Sequence, residues 1–133
     1  MSAMTRFLQK KLLDHTIGKA NWTMPTTVYL ALFTSNPGED GDQTGEPSGN
    51  DYERVAITSA MGATTLATGK AVNEQIIQFP TASGAWGVCT HWGILDASSD
   101  GNMLLYGALN TAMNIGTGDG PPIAEGALEI LFA

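Results

Sequence analysis

The sequence predicts a mainly β protein, with a single β-sandwich or jelly-roll-like domain and a short amphipathic helix at its N-terminus. Three observations support this prediction. Several short runs of β-branched and aromatic residues are separated by turns rich in Gly and Pro. Only 14% of the 133 residues are charged and 16 are glycine, which suits a turn-rich β protein better than a helical bundle. A single segment has the apolar spacing of a good helix.

That helix is predicted from Thr5 to Ile17, with Thr5 as its N-cap and Gly18 just beyond its end. Four of the six basic residues lie within residues 1–20, so the rest of the chain is more acidic than the net charge of −7 suggests. Such a helix either packs on its own sheet or docks on a partner or a membrane. We therefore interpret residues 1–20 as an N-terminal helix or arm and residues 21–133 as the β-sandwich, together one folding unit. The apolar residues close to one helical face are Phe7, Leu8, Leu12 and Leu13.

The strands are predicted from β-branched and aromatic runs that end at Gly, Pro, Asn or Asp. A loop dense in glycine, residues 115–122, precedes the last of them. Outside the central hairpin, these runs are residues 26–34, 52–58, the end of 71–80, and 127–132, in which Leu128, Ile130 and Phe132 alternate.

A central hairpin is predicted between Cys89–Asp96 and Met103–Asn110, because Asp100-Gly101-Asn102 between them is a turn signal. Both runs are apolar at nearly every position. A strand with water on one face should alternate, so we expect this hairpin to be covered on both faces, by its own domain or by a partner subunit.

Residues 35–51 form a long polar loop that carries Glu39, Asp40 and Asp42. Loops of this length in small domains are usually functional or mobile, and a neighbouring subunit could also order this one. Asp40, Asp42 and Gly45 match positions one, three and six of a calcium loop, but Thr44 holds position five and Asp51 stands at position twelve, where a bidentate Glu belongs. The prolines at 37 and 47 also argue against flanking helices. A solvated acidic loop is the favoured interpretation, and weak calcium binding stays open.

The remaining candidate motifs favour structural roles. Cys89 and His91 share a strand face, but zinc would need two more ligands and the other histidine is the distant His15. Gly116–Gly120 has neither the lysine nor the helix of a phosphate loop, so we interpret it as a turn. The tryptophans are expected in the core or an interface, with sugar stacking as the alternative: Trp22, Trp86 and Trp92.

Composition also disfavours several partners. A net charge of −7 disfavours binding to nucleic acid or an anionic membrane. No apolar run approaches a signal-peptide core or a membrane span, so synthesis in a cytoplasm is expected. A lone cysteine gives no intrachain disulfide. No catalytic signature, cofactor motif or complete metal site is recognised in the sequence.

The chain resembles small virion proteins of tailed bacteriophages, described as tail-fibre-like or as capsid decoration (cement) proteins. Trp-Gly-Ile-Leu-Asp, Ala-Ser-Ser-Asp-Gly-Asn and Leu-Leu-Tyr-Gly-Ala-Leu carry the resemblance within the hairpin, followed by Gly-Asp-Gly and Glu-Gly-Ala-Leu-Glu-Ile. The N-terminal part also fits, with its helix, residues 28–37 and an acidic loop before Tyr52-Glu53-Arg54. The resemblance implies a β-sandwich built into a virion as a homotrimer.

From these observations, the first hypothesis is a non-enzymatic decoration protein that docks on the assembled capsid shell as a homo-oligomer and stabilises it. The alternative is a tail-fibre or baseplate module that binds a host-surface glycan, and a small metal-dependent enzyme ranks third. Expected partners are further copies of the chain and the major capsid protein or other virion proteins, without nucleic acid or membrane. Candidate contact residues are Phe7, Leu8, Leu12, Glu39, Asp40, Asp42, Trp92 and Tyr106.

Overall fold

The computed structural model describes residues 2–132 and confirms a mainly β fold with one short helix. Five antiparallel strands form the main sheet in the order β1-β7-β6-β2-β3, and two further sheets pair β4 with β9 and β5 with β8. The elements within the described residues are β1 (Ser2–Met4), α1 (Arg6–Thr16), β2 (Tyr29–Phe33), β3 (Val55–Ala56), β4 (Lys70–Val72), β5 (Ile77–Gln78), β6 (Gly87–Leu95), β7 (Met103–Ile115), β8 (Pro122–Ile123) and β9 (Glu129–Leu131).

The predicted hairpin is the centre of the main sheet. Asp100 and Gly101 adopt positive φ angles of 52° and 71°, as the turn signal requires. The Asp96 carboxylate accepts hydrogen bonds from the backbone N–H of Asn102 at 2.7 Å and from its side chain at 3.1 Å. The second strand continues to Ile115, five residues beyond its predicted end, because it pairs again with β6 after a bulge.

Both faces of the main sheet are buried near this turn. The inner face packs against α1 and the two small sheets, and its core includes Leu30, Trp92 and Ile94. The outer face carries Ala31, Phe33, Leu95 and Met103, all at most 3% exposed. The prediction of a hairpin covered on both sides is thus confirmed at this end, whereas most residues from Ala108 to Asn114 are exposed in the single chain.

Gly93 allows the outer face to pack closely. A Cβ at this position would lie 2.9 Å from a ring carbon of Phe33 and 3.1 Å from the terminal methyl of Met103. Phe33 is fully buried, so its ring has little room to move. Glycine is therefore required by the side chains above it, not by an unusual backbone angle.

The N-terminal helix forms where the sequence predicts it. The Thr5 hydroxyl accepts a hydrogen bond from the backbone N–H of Leu8 at 3.3 Å and donates one to the carbonyl of Met103 at 2.6 Å. The short strand β1 was not predicted; Ser2 pairs with Gly107, at the edge of the main sheet. The three residues of β1 have no strand pattern of their own, so β1 forms because its backbone pairs with the edge of β7.

The other strands are shorter than predicted. Residues 52–58 contain only β3, and residues 71–80 are divided between the last part of β4 and all of β5. In the last segment Leu128 is buried, but Phe132 is 55% exposed and lies outside the core. Gly116–Gly120 is a turn, as predicted, in which the Asp119 carboxylate accepts a hydrogen bond from the N–H of Gly116 at 2.8 Å. No helix in residues 2–132 is long and apolar enough to cross a membrane.

Candidate functional site

The structure brings the predicted helix and the predicted acidic loop together at Arg6. The backbone N–H of Arg6 donates to the carbonyl of Glu39 at 2.8 Å. Its guanidinium lies 3.2 Å from the Glu39 carboxylate and 2.5 Å from that of Asp40. Asp42 instead accepts a hydrogen bond from the Thr44 N–H at 3.0 Å, and the bonds from Thr44 lower the pKa of Asp42. Glu39, Asp40 and the helix start therefore form one continuous surface.

The apolar residues of α1 divide between the core and the solvent. Leu8 is 3% exposed and belongs to the inner core, whereas Phe7 and Leu12 are half-buried beside it. The apolar residues that face outward are Leu13 and Ile17, which are 60% and 57% exposed. Two residues outside the candidate contact set therefore offer the helix's main apolar contact surface.

The tryptophans mostly lie in the interior. Trp92 and Trp86 are each 5% exposed, and Trp22 is half-buried. Trp86 packs edge-on against Tyr52 at 5.1 Å between ring centroids and donates its ring N–H to the carbonyl of Asn50 at 2.9 Å. Tyr106, half-buried, packs against the outer-face cluster. Neither Trp86 nor Trp92 presents a free ring face for a sugar.

A buried ion pair at Arg54 holds the acidic loop, and the sequence analysis missed it. The Arg54 side chain, 4% exposed, makes a bidentate contact with the Glu46 carboxylate at 2.7 and 2.8 Å. It also donates to the side chain of Gln43 and to the carbonyls of Ala97 and Asp100, each at 2.9 Å. We call this group the Arg54 clamp: Arg54, Gln43, Glu46 and the carbonyls of residues 97 and 100. It joins the long loop to the hairpin turn.

Burial and the Glu46 charge shift the pKa values of Arg54 and of the neighbouring Tyr52. Burial lowers the pKa of Arg54, but the hydrogen bonds and charge of Glu46 outweigh it and raise the pKa above its ordinary value. Burial and the nearby Glu46 charge raise the pKa of Tyr52, whose hydroxyl donates to Glu46 at 2.8 Å. That hydroxyl also accepts the N–H of Leu32 at 3.1 Å. Loop residues 35–51 are therefore ordered by contacts within their own chain.

An apolar groove of about 480 Å³ opens on the inner side of the main sheet. Leu30 and Trp92 form its floor, and its walls are the β7 bulge, residues 108–113, and the C-terminal segment, residues 122–131. The bulge arises because the β6–β7 register passes from Cys89–Met113 to His91–Ala108. We call this feature the C-terminal groove. Its size is typical of ligand or side-chain binding sites.

Asn73 fixes the C-terminal wall of this groove. Its side chain is 1% exposed and donates to the carbonyls of Gln75 at 2.9 Å and Ala124 at 2.8 Å. Its side-chain oxygen accepts the N–H of Leu128 at 2.9 Å. No local pattern around Asn73 signals this role, because two of its partners lie more than fifty residues away in the chain.

The cysteine–histidine pair is not arranged for catalysis. Cys89 is fully buried and burial raises the pKa of its thiol to about 11, while His91 Nδ1 lies 2.8 Å from the Thr90 hydroxyl. Within residues 2–132, no group of three or more His, Cys, Asp or Glu side chains is placed to hold a metal ion. Cys89 therefore lacks the lowered pKa and the access of a reactive thiol.

Cys89 should react with iodoacetamide at pH 8 at least about tenfold more slowly in the native protein than in urea. The rise of its pKa from 9.0 to about 11 lowers the thiolate fraction, and burial removes access. Mass spectrometry of the alkylated peptide measures the rate. Equal rates in both states would contradict a buried thiol.

A sequence model of the family described as Podophage GP4 fiber I protein gp80 matches residues 3–131. The chain belongs to this family. It is therefore a structural protein of a phage virion, which confirms the resemblance seen in the sequence and places the protein in the virion. Fibre proteins of this kind are typically non-enzymatic and associate with other virion proteins. No curated protein matches the chain significantly.

Proposed function

We propose that this gp80-family protein is a non-enzymatic assembly subunit of the virion's tail fibre, where it self-associates, as a homotrimer, and contacts other virion proteins. The match to a fibre protein family across residues 3–131 carries this proposal and favours the tail over the capsid shell. The exposed apolar residues of α1 and the open C-terminal groove support a role in assembly.

The tryptophans favour assembly over glycan recognition. Sugar binding by stacking requires an accessible aromatic face. Trp86 and Trp92 are buried, and Trp86 already uses its ring N–H within the domain. The burial of these two rings supports a module that positions neighbouring proteins in the fibre.

Co-sedimentation of the purified protein with phage tails and, separately, with empty heads tests this proposal. We expect stoichiometric retention by tails that lack the protein and none by heads. Stoichiometric retention by heads alone would overturn the fibre assignment and support capsid decoration. Retention by neither, with tryptophan fluorescence quenched by host polysaccharide, would instead support the glycan-binding module.

A further inference from the structure

We infer that α1 of one copy docks into the C-terminal groove of a second copy, so that subunits associate head to tail. The inference rests on the self-association in the proposed function and names the two surfaces that carry it. The surfaces share no residue: the N-terminal segment offers Leu13 and Ile17, and the groove offers the half-buried Leu109, Met113 and Ile123 among its lining.

The helix has the shape of a docking element. Lys10 and Leu13 are spaced i and i+3 on one face of α1, and Ile17, the C-cap residue, follows Leu13 one turn later on the same side. Leu13 and Ile17 are each more than half exposed, and the Lys10 side chain, 73% exposed, pairs with Asp14 at 2.5 Å. The opposite side of the helix is held by Leu8 in the core and by the Thr5 cap. This anchoring fixes the direction in which the apolar pair points.

The groove has the matching chemistry. Among the described residues that line it, Glu129 is the charged one, and its carboxylate lies 3.5 Å from Lys70 Nζ; Glu125 is exposed on the same wall. Leu30 and Trp92 are almost fully buried at its floor, and half-buried residues such as Leu109, Met113 and Ile123 supply accessible apolar surface. The two aliphatic side chains therefore match the apolar lining of the groove, and the exposed Glu125 carboxylate suits a basic segment.

The overall charge distribution favours a second copy as the occupant. Residues 1–20 hold four basic residues and one acidic residue; Arg6 pairs with Glu39 and Asp40 and Lys10 pairs with Asp14, so Lys11 and Lys19 carry the positive charge that is left. Residues 21–133 hold two basic and twelve acidic residues, a net charge of −10, and both basic residues are paired, Arg54 with Glu46 and Lys70 with Glu129. Helix and groove on separate copies thus attract each other. Such a heterologous contact closes into a ring when its rotation allows, as a trimer requires.

Complementation between two defective variants tests this arrangement by sedimentation velocity. The helix variant is Leu13→Glu/Ile17→Glu, and the groove variant is Leu109→Arg. Each should weaken self-association at least about 100-fold, because each removes or blocks the apolar contact. An equimolar mixture should form a dimer, because the intact helix of the groove variant fits the intact groove of the helix variant.

The control is Leu66→Glu, since Leu66 is also fully exposed but lies on neither surface. It should assemble like the wild type, and circular dichroism should show that all variants are folded. If both variants self-associate as strongly as the wild type, the helix–groove contact is wrong, and the proposed fibre role is unaffected. If the wild type is monomeric at all concentrations, the contact is also wrong. Co-sedimentation with tails would then still test the fibre role separately.

Discussion

Replacing Arg54 with alanine is expected to lower the free energy of unfolding by about 3–5 kcal/mol, because it leaves the Glu46 carboxylate largely buried without its partner. The change also removes the donors for Gln43 and for the carbonyls of Ala97 and Asp100. For a domain of this size the melting temperature should fall by about 10–20 °C. Thermal and urea unfolding followed by circular dichroism measure the effect.

Arg6→Ala is the matched control. Arg6 also contacts two carboxylates, those of Glu39 and Asp40, but its side chain is 66% exposed, so water screens the attraction. Its loss should cost at most about 1 kcal/mol. Limited proteolysis adds a local measurement, because Arg54→Ala should expose residues 35–51 to cleavage and Arg6→Ala should not. Equal losses of stability from the two variants would show that the clamp does not hold the loop.

The parts of the fold that the sequence predicted are specified by neighbouring residues. The hairpin follows from Asp100-Gly101-Asn102, whose backbone angles only a few residue types tolerate. The helix follows from its apolar spacing and the Thr5 cap. In each case a short segment contains the physical cause, so the prediction needs no knowledge of the rest of the chain.

The parts that were missed depend on distant partners. Ser2 pairs with Gly107 only because β7 provides a free edge, and Arg54 pairs with the carbonyls of a turn more than forty residues away. The C-terminal groove combines residues from β2, β6, β7 and the last segment. Only the fold brings these groups together. The sequence therefore indicated Glu39, Asp40 and Asp42 as candidate contact residues and did not indicate the largely buried Glu46.

The acidic loop makes contacts that its composition does not indicate. Residues 35–51 are polar and rich in glycine, which is typical of mobile loops. Yet Gly41 packs against Met103 of the outer face, and its missing side chain permits that approach. Pro37 is also buried. The loop packs over the outer face of the main sheet, and the Arg54 clamp joins the loop to the hairpin turn beside that face.

Replacing Asn73 with alanine is expected to lower the free energy of unfolding by about 3–4 kcal/mol. The change leaves the buried N–H of Leu128 without its acceptor and the carbonyls of Gln75 and Ala124 without their donors. An unpaired buried polar group costs about 1–3 kcal/mol, and the carbonyls recover part of this through water. Urea unfolding measures the loss, and amide exchange over residues 122–131 reports whether it begins at the groove wall.

Asn114→Ala provides the control, since Asn114 is an exposed asparagine on β7 and should change stability by at most about 0.5 kcal/mol. If Asn73 holds the wall, Asn73→Ala should also weaken self-association at temperatures where the protein stays folded, because the wall that would receive Leu13 and Ile17 has loosened. Faster amide exchange confined to residues 122–131 would locate the defect there. Uniformly faster exchange throughout the chain would instead show that Asn73 stabilises the whole core and has no particular role in shaping the groove.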